Sequence, residues 1–501
     1  MSAYALGLDN GGSSVKAAIF DLSGNEIASA SRSMDMICPK PGFTERNPKD
    51  TWNLNCDVIK EVLKDSKIKA NEIIGVATTG YGNGIHMVDK NGNDVYKHIV
   101  STDTRAQGYV DRFVKDGTFD KVREHTMQSI WAAQPPLLIS WFRDNEPQVL
   151  EETHHIFSIT DYVRFKLTGE AANEISNLSG TSQMNLVEQK TNRDIYKLFG
   201  IEEYYRLLPP MCESREMCGK ITAQAAKETG LVEGIPVAGG FFDITACCLA
   251  GGVVDDSMLA LTAGTWNISE YLSEHPVDDR LLFMNSISHI PNHYMVTEAS
   301  PTCAGNFNWF TQNFMKEFAS GMKTQEFYDY CDNAVAGIAP GESKVVFMPY
   351  VYGSNARTAA QGAFFNMNSF YRREHMLRAV YEGMAFSCAY HVQKLYYHKS
   401  DFELARLSGG MSNSGVWSQI ISDVLMMPIQ VVEGSELGAK GAAMSAAVVA
   451  GEFGNFEQAA RAMVKISESI EPNERNKDVY AEKFENYKKA MELVSVFAES
   501  A

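Results

Sequence analysis

Apolar and polar positions along this chain change period repeatedly, and the changes predict alternating strands and helices. The first ordered stretch reads Tyr4-Ala5-Leu6-Gly7-Leu8-Asp9-Asn10-Gly11-Gly12-Ser13-Ser14-Val15-Lys16-Ala17-Ala18-Ile19-Phe20-Asp21. Two short apolar runs flank a glycine-rich connection, the pattern of a β-hairpin. Residues 26–33 follow the turn Leu22-Ser23-Gly24-Asn25 and extend the hairpin to a three-stranded meander. Asn47-Pro48 predicts a helix start, with asparagine capping and proline at the first helical position. Trp52, Cys56, Ile59, Val62 and Leu63 recur at helical spacing, so that helix buries one face. Residues 73–79 read as a buried strand running into Gly80-Tyr81-Gly82-Asn83-Gly84, and 99–105 as a second strand with a polar end, Asp103-Thr104-Arg105.

Residues 106–235 read mostly as helices and loops, with apolar periodicity at 109–114 and 135–142 and a capped helix at 160–167 closed by Thr168-Gly169. The stretch 235–243 then repeats the opening theme of apolar strand, glycines and an acidic residue, ending in Gly239-Gly240-Phe241-Phe242-Asp243. Residues 257–261, the turn Thr262-Ala263-Gly264-Thr265 and residues 266–272 form a second hairpin around a glycine and a hydroxyl, an echo that predicts two related halves. Further on come a strand at 345–349, a long helix at 374–397 carrying Glu382 beside Gly383, and a strand at 404–408. That last strand feeds Gly409-Gly410-Met411-Ser412-Asn413-Ser414, which opens a helix at 416–425. The small residues of 438–450 predict a helix packed closely on a neighbour, and 455–501 read as helices with a charged surface, the acidic stretch 452–474 being a solvated helix face. Trp131 and Trp266 read as core residues, and His86, His98, His154 and His155 show no metal-ligand spacing.

Length and charge narrow the class. A chain of 501 residues exceeds one hydrophobic core and implies two large domains or more. A net charge of −17 argues against nucleic acid or an anionic membrane as the main partner, though not against an anionic ligand in a locally positive pocket. The nine cysteines are scattered, odd in number and without a C-x-x-C pair, the usage of buried free thiols in a reducing compartment. No stretch has the length of a membrane span, and Met1-Ser2-Ala3-Tyr4 leads directly into a strand, so a cytoplasmic location is expected.

The chemistry lies in glycine-rich turns at strand ends. Turns at 9–14, 264–265 and 409–414 can present backbone N–H groups and hydroxyls to phosphate oxygens. Phosphoryl transfer also needs a cation on those oxygens and a group that orients or deprotonates the nucleophile. Asp9 suits the metal, as hard cations prefer oxygen ligands. Asp243, walled by Phe241 and Phe242, suits a base that accepts a proton from a hydroxyl within hydrogen-bond reach. Each has a plainer reading. The opening turn can be an ordinary hairpin turn, and Asp243 can be the cap of a helix beginning near Thr245.

The order and spacing of these motifs resemble the FGGY family of carbohydrate kinases. The resemblance rests on Asp9-Asn10-Gly11-Gly12-Ser13, Gly240-Phe241-Phe242-Asp243, Ala263-Gly264-Thr265, Gly409-Gly410 and a 362–383 segment ending in Tyr381-Glu382-Gly383, and it runs from residue 4 to about 490. It implies an α/β, two-domain actin-like ATPase fold with RNase H-like cores, a sugar-binding domain at 1–252, a nucleotide-binding domain at 253–501, and ATP and sugar in the cleft between them. It implies Asp243 as catalytic base and Asp9, with Asp243, at Mg²⁺. Gly12, Ser13, Ser14, Gly264 and Thr265 would surround phosphates, and Gly305, Asn308, Gly409, Gly410 and Ser414 would lie by the nucleotide. A homodimer is also implied.

The sugar is read by other loops. The family often has Gln-Met-His-Gly where this chain has Tyr81-Gly82-Asn83-Gly84, and the glycerol kinase branch has Arg-Glu there. Tyr81, Gly82, Asn83, Asp103, Arg105 and Phe242 are therefore the candidate sugar contacts, with Asp103 and Arg105 alternatively pairing only with each other. Phe43-Thr44-Glu45-Arg46, Glu298-Ala299-Ser300-Pro301-Thr302, Asn308-Trp309-Phe310 and Tyr352-Gly353-Ser354-Asn355-Ala356 are similar to the L-xylulose kinase branch. D-xylulose, ribulose, erythritol, glycerol and gluconate stand as alternative substrates. A non-catalytic nucleotide-binding sensor or scaffold on the same fold is the reading from another class.

Overall fold

The computed structural model describes residues 3–356 and 360–500. The chain divides into two compact units. The first takes Met1–Val254, Leu272–Val296 and Glu436–Val464, and the second takes Asp255–Tyr271, Thr297–Ser435 and Lys465–Ala501. The division thus differs from a single cut near residue 252. Small side chains explain the largest exception: the helix Leu437–Val449 packs within the first unit, where glycines admit its backbone.

In the first unit the expected meander forms. Strand Tyr4–Asn10 pairs antiparallel with Ser14–Asp21, which pairs antiparallel with Glu26–Ser33. On its other side Tyr4–Asn10 runs parallel to Ile73–Gly80, and that strand runs parallel to both Pro236–Ala238 and Phe241–Phe242. Side chains of a strand alternate between faces. Leu6 and Leu8 join the core with Val58, Ile59 and Val62 of helix Pro48–Ser66, which Asn47 caps as expected. Asn10 continues that face, and its side-chain amide exchanges hydrogen bonds of 3.2 and 2.8 Å with Asn55 of the same helix. Gly7 and Asp9 face the opposite way, toward helix Leu437–Val449. A Cβ on Gly7 would lie 1.8 Å from the Ala439 carbonyl oxygen, and one on Gly75 would lie 2.7 Å from that of Ala446. Gly441 of this helix approaches helix Asp243–Ala250 as closely, its added Cβ falling 2.1 Å from the Ala246 oxygen.

The second unit repeats the opening arrangement. Strand Met258–Ala263 pairs antiparallel with Asn267–Ser273 and parallel with Leu404–Ser408, which runs parallel to Ile429–Val432. Helix Arg373–Tyr396 crosses close to strand Val346–Met348, where a Cβ on Gly383 would sit 2.5 Å from the Phe347 oxygen. Glu382 next to it is buried and bonded to Arg378 at 2.8 Å and to Lys483, rather than turned to solvent as mid-helix glutamates usually are.

Four local expectations change. The strand expected over 99–105 shortens to His98–Ile99. Beyond it the Asp103 carboxylate accepts the backbone N–H groups of Thr44 and Arg105 at 2.7 and 2.9 Å, and such side-chain bonds compete with a ladder. Strand Ile466–Ile470 lies where only helices are expected, antiparallel to Ile429–Val432, with its alternating Ser and Glu exposed as suits an edge. The acidic stretch 452–474 is accordingly split between helix Phe456–Met463 and this strand. Trp131 and Trp266 are 41% and 39% exposed and so are not core residues. Among the described residues no cysteine is in a disulfide, and all are buried except exposed Cys38 and half-buried Cys247. Among the described residues no helix is long and apolar enough to cross a membrane.

The glycine contacts give a stability prediction. Gly441→Ala should lower the unfolding free energy by about 1–3 kcal/mol, read as a lower denaturation midpoint. Gly12→Ala, whose Cβ would meet nothing within 4 Å, should stay within about 0.5 kcal/mol of the parent. An unchanged midpoint for Gly441→Ala contradicts the backbone-to-backbone approach.

Candidate active site

Parallel pairing brings the two strand-end carboxylates of the first unit to one edge. Thr79 is opposite both Asp9 and Phe241, and Gly80 is opposite both Asn10 and Phe242. Asp243 follows directly as the first residue of helix Asp243–Ala250, and its Oδ1 accepts the Ile244 N–H at 2.8 Å. Phe242 occupies the cap position, so the cap reading of Asp243 shifts by one residue. An acid in the first helical turn is favoured by the helix dipole.

The electrostatics of the pair are those of crowded acids. Burial pushes the Asp9 carboxyl up to about 6, Lys16 opposing and Glu436 reinforcing the shift. Burial, with the charge of Asp9 added, pushes Asp243 up to about 8. Asp9 Oδ1 is buried with no hydrogen-bond partner in the protein, and a Cβ on Gly438 would come within 2.7 Å of Asp9 Oδ2. Lys16 beside them is held by Glu436 at 2.9 Å. Among the described residues no group of three or more His, Cys, Asp or Glu side chains is arranged to hold a metal ion, and Asp9 acts on Asp243 as a single charged neighbour. Two oxygen donors of this kind suit a hard dication that keeps several waters and takes its other ligands from phosphate.

The hairpin turn next to Asp9 is Gly11-Gly12-Ser13, closed by Gly11 N–H donating to Ser14 O at 2.9 Å. Arg46, almost fully buried, donates to the carbonyl oxygens of Gly11 and Gly12. It therefore fixes the turn from below while Gly12 and Ser13 stay exposed and Ser14 half-exposed. Sequence reasoning met Arg46 only as part of a resembling segment, since nothing local reveals that a side chain from 35 residues away grips this turn.

The loop after strand Ile73–Gly80 meets the same edge. Gly82 lies under the Phe242 ring, a Cβ there falling 2.6 Å from Phe242 Cζ. Asn83 has φ +63°, and its Oδ1 is buried with no partner. It lines a small cavity with Asn173, Asn177, Thr181 and Gln183. Tyr81 is buried; its hydroxyl meets His86 Nε2 at 3.2 Å and Arg46 lies over its ring. Asp103 and Arg105 have fully buried side chains that bond each other at 3.0 and 2.9 Å, with Glu45 at 2.7 Å. The two residues do pair with each other, and Arg105 Nη1 is buried with no partner.

The nucleotide candidates gather in the second unit. Gly264 O accepts the Ala304 N–H at 2.9 Å, and a Cβ on Gly305 would contact Thr265 Cγ2 at 3.5 Å. Gly409 has φ +92°, and a side chain there would strike the Ala263 backbone at 2.6 Å. Thus Gly264, Thr265, Gly305 and Gly409 adjoin. Asn308, Gly410 and Ser414 line a cavity of about 570 Å³ together with Phe307, Tyr328, Asp332 and Tyr381, within the usual range for small-molecule sites. Asp332 accepts from Tyr381 at 2.9 Å and from Ser414 at 2.7 Å. Asp332 and Tyr328 escaped sequence reasoning because helix Thr324–Ala336 shows no motif.

Two α/β units with glycine turns and paired acids at strand ends give the fold of the actin-like ATPases. Its relatives are specific. Residues 4–250 match the N-terminal domain, and residues 259–450 the C-terminal domain, of the FGGY family of carbohydrate kinases. A probable L-xylulose kinase of Haemophilus influenzae is 34% identical over 445 residues, 88% of this chain and 90% of that one. An L-xylulose/3-keto-L-gulonate kinase of Escherichia coli is 31% identical over 490 residues, 97% and 96% of the two chains. The crystal structure of xylulose kinase from Rhodospirillum rubrum superposes with a TM-score of 0.86 at 24% identity, covering 99% of this chain and 100% of that one. The chain belongs to the FGGY family of carbohydrate kinases. It is accordingly a phosphotransferase with an alcohol group as acceptor, and ATP is a substrate.

The raised carboxyls give a pH prediction. Each pKa in the folded protein lies above its ordinary value of 3.8, so the folded state binds more protons than the unfolded one. Stability of the ligand-free protein should then fall as pH rises from about 4 to about 8. Asp243→Asn should gain on the parent over that interval in thermal midpoints. A difference that stays constant with pH contradicts the buried pair.

Proposed function

We propose that this sugar kinase phosphorylates a ketopentose, L-xylulose first among them, with Asp243 as the base. The reading is carried by the position of Asp243, at a strand end on one sheet edge with Asp9 and with its carboxyl pushed up to about 8. The names of the Haemophilus influenzae and Escherichia coli relatives support the choice of sugar. In this reading residues 1–252 supply the sugar side and 253–501 the nucleotide side.

The steps follow from the residues. Asp243 accepts the proton of a primary sugar hydroxyl and orients that oxygen toward the γ-phosphorus of ATP. The new O–P bond forms as the bond to the bridging oxygen of ADP breaks. The turns at Gly12-Ser13-Ser14 and Gly264-Thr265 hold phosphate oxygens through N–H groups and hydroxyls. Asn308, Gly410 and Ser414 line the cavity that takes the nucleoside. Mg²⁺ held by Asp9 and Asp243 would neutralise charge on the phosphates when bound. Phe242 and Gly82 form the wall against which the sugar lies, and Asn83 offers its unpartnered Oδ1. Tyr81 stands behind this wall, its hydroxyl against His86 and its ring beneath Arg46. We infer a homodimer by analogy with the family, to be read by sedimentation.

Coupled ADP release against a panel of ketoses, polyols and sugar acids tests this directly. L-xylulose should give the highest kcat/KM, and Asp243→Ala should lower turnover about 10²–10⁴-fold with nucleotide still bound. Because the base acts ionised, kcat/KM for the sugar should rise with pH through the region near 8 set by Asp243. Turnover near the parent value in Asp243→Ala defeats the base assignment, and preference for another sugar defeats L-xylulose. Asn83→His should change the ranking of sugars while the KM for ATP stays within about twofold; an unchanged ranking removes Asn83 from the sugar site.

A further inference from the structure

The segment that delivers Asp243 is poorly held by its own sheet. Gly240 adopts φ +84°, and a Cβ there would strike the Thr78 oxygen at 2.1 Å, so the strand breaks between Pro236–Ala238 and Phe241–Phe242. Only two residues resume pairing before the helix that begins at Asp243. A short ladder of this kind leaves the backbone at the strand end dependent on other donors and acceptors.

Buried side chains supply them. Arg164 Nη1 donates to Gly239 O at 2.5 Å. The hydroxyls of Thr79 and Thr160 donate to Phe241 O at 2.9 and 3.2 Å. The Phe242 N–H, one peptide before Asp243, donates to Ser176 Oγ at 3.0 Å. Ser176 in turn gives its hydroxyl proton to Glu174 Oε2 at 2.5 Å. Arg164, Thr79, Thr160, Ser176 and Glu174 are each 0% exposed.

Glu174 is surrounded by donors. Oε1 accepts Ser176 N–H at 3.0 Å and the Ser214 hydroxyl at 2.6 Å. Oε2 accepts Asn177 N–H at 3.2 Å besides the Ser176 hydroxyl. Its own backbone N–H is taken by Asp161 Oδ1 at 3.0 Å, and Asp161 is paired with Arg164 at 2.9 Å. Each carboxylate oxygen therefore faces one backbone N–H, which cannot rotate away, and one hydroxyl. A glutamine in this place would set its NH₂ against a backbone N–H in either flip, because it has only one acceptor end. Only a carboxylate satisfies all four donors, and in doing so it fixes the Ser176 hydroxyl proton away from Phe242 and leaves a lone pair for the Phe242 N–H.

We propose that Glu174, acting through Ser176, is a positioning residue for the catalytic base: the pair sets the peptide from which Asp243 projects and so its aim at the sugar hydroxyl. The inference rests on the reading of Asp243 as base. It differs from a plain stabilising role because the last link ends on the backbone N–H adjoining the reacting residue. Misplacing a reacting group by about 1 Å can cost about 10²-fold in rate.

Steady-state kinetics on four variants of the full chain tests it. Ser176→Ala and Glu174→Gln should each lower kcat about 10- to 100-fold while the KM values for sugar and ATP stay within about twofold. Ser176→Thr keeps the hydroxyl and should restore most of kcat. If Glu174→Gln fails to fold, the Ser176 pair of variants carries the test alone. An unchanged kcat in Ser176→Ala overturns the proposal, and so does an equal loss in Ser176→Thr or a loss shared between kcat and both KM values. Asp243→Asn separates the two readings: parent-like turnover there defeats the base assignment itself, whereas lost turnover there with parent-like Ser176→Ala defeats only the positioning role.

Discussion

The first unit depends on one close approach: helix Leu437–Val449 lying backbone to backbone against two strands and a helix. Gly7, Gly75 and Gly441 make it possible, since a single methyl at any of them would overlap a carbonyl group. The helix thereby covers the sheet face from which Asp9 projects and also supports the helix that starts at Asp243. The consequence is electrostatic as much as steric. Close backbone packing reduces the hydration of both carboxylates, which keep part of their surface exposed, and burial is the first cause of the upward shift at each. Packing of small residues thus accompanies the upward shift of both carboxyls.

The same contact explains how distant sequence converges on one edge. Asp9, Thr79 and Phe241 come together by parallel pairing, which needs long connections and leaves no local trace. Strand order alone brings the acids near, but it leaves the peptide at 239–242 under-supported once Gly240 breaks the strand. Side chains from 79, 160, 164 and 176 then complete the backbone hydrogen bonding. In the second unit the corresponding strand end at Gly409 is closed differently, by direct contact with the Ala263 backbone and by Ser414 capping the next helix. A polar scaffold is used at the strand end that leads into Asp243.

Much of this was legible in the sequence. Local rules reach the hairpin at Asp9, the capped helix at Asn47-Pro48, the Gly409–Ser414 turn and the small-residue helix, because turn chemistry, caps and period are local. The two acids at strand ends were legible as a recurring theme. What was not legible is long-range: that helix Leu437–Val449 belongs to the first unit, that Arg46 grips the opening turn, and that Asp332 joins Ser414 and Tyr381. The strand misread at 99–105 shows the same limit from the other side. Its β-like start was plain, but the Asp103 carboxylate captures backbone N–H groups from residue 44 as well as from Arg105 and ends the strand early.

Charged residues in this protein therefore sort by what their partners leave over. Arg378, Glu382 and Lys483 bond one another and hold elements in place, whereas Arg105, paired with Asp103 and Glu45, keeps Nη1 buried and without a partner. Asp9 Oδ1 likewise has no partner in the protein, and neither has Asn83 Oδ1. A buried acceptor without a donor costs about 1–3 kcal/mol, a cost that bound metal, sugar or ordered water would offset. Both unpartnered oxygens belong to residues of the proposed site. Stability withheld there is consistent with binding energy being realised only when substrate arrives, while hydrogen bonds from Thr79, Thr160, Arg164 and Ser176 hold the strand end behind it.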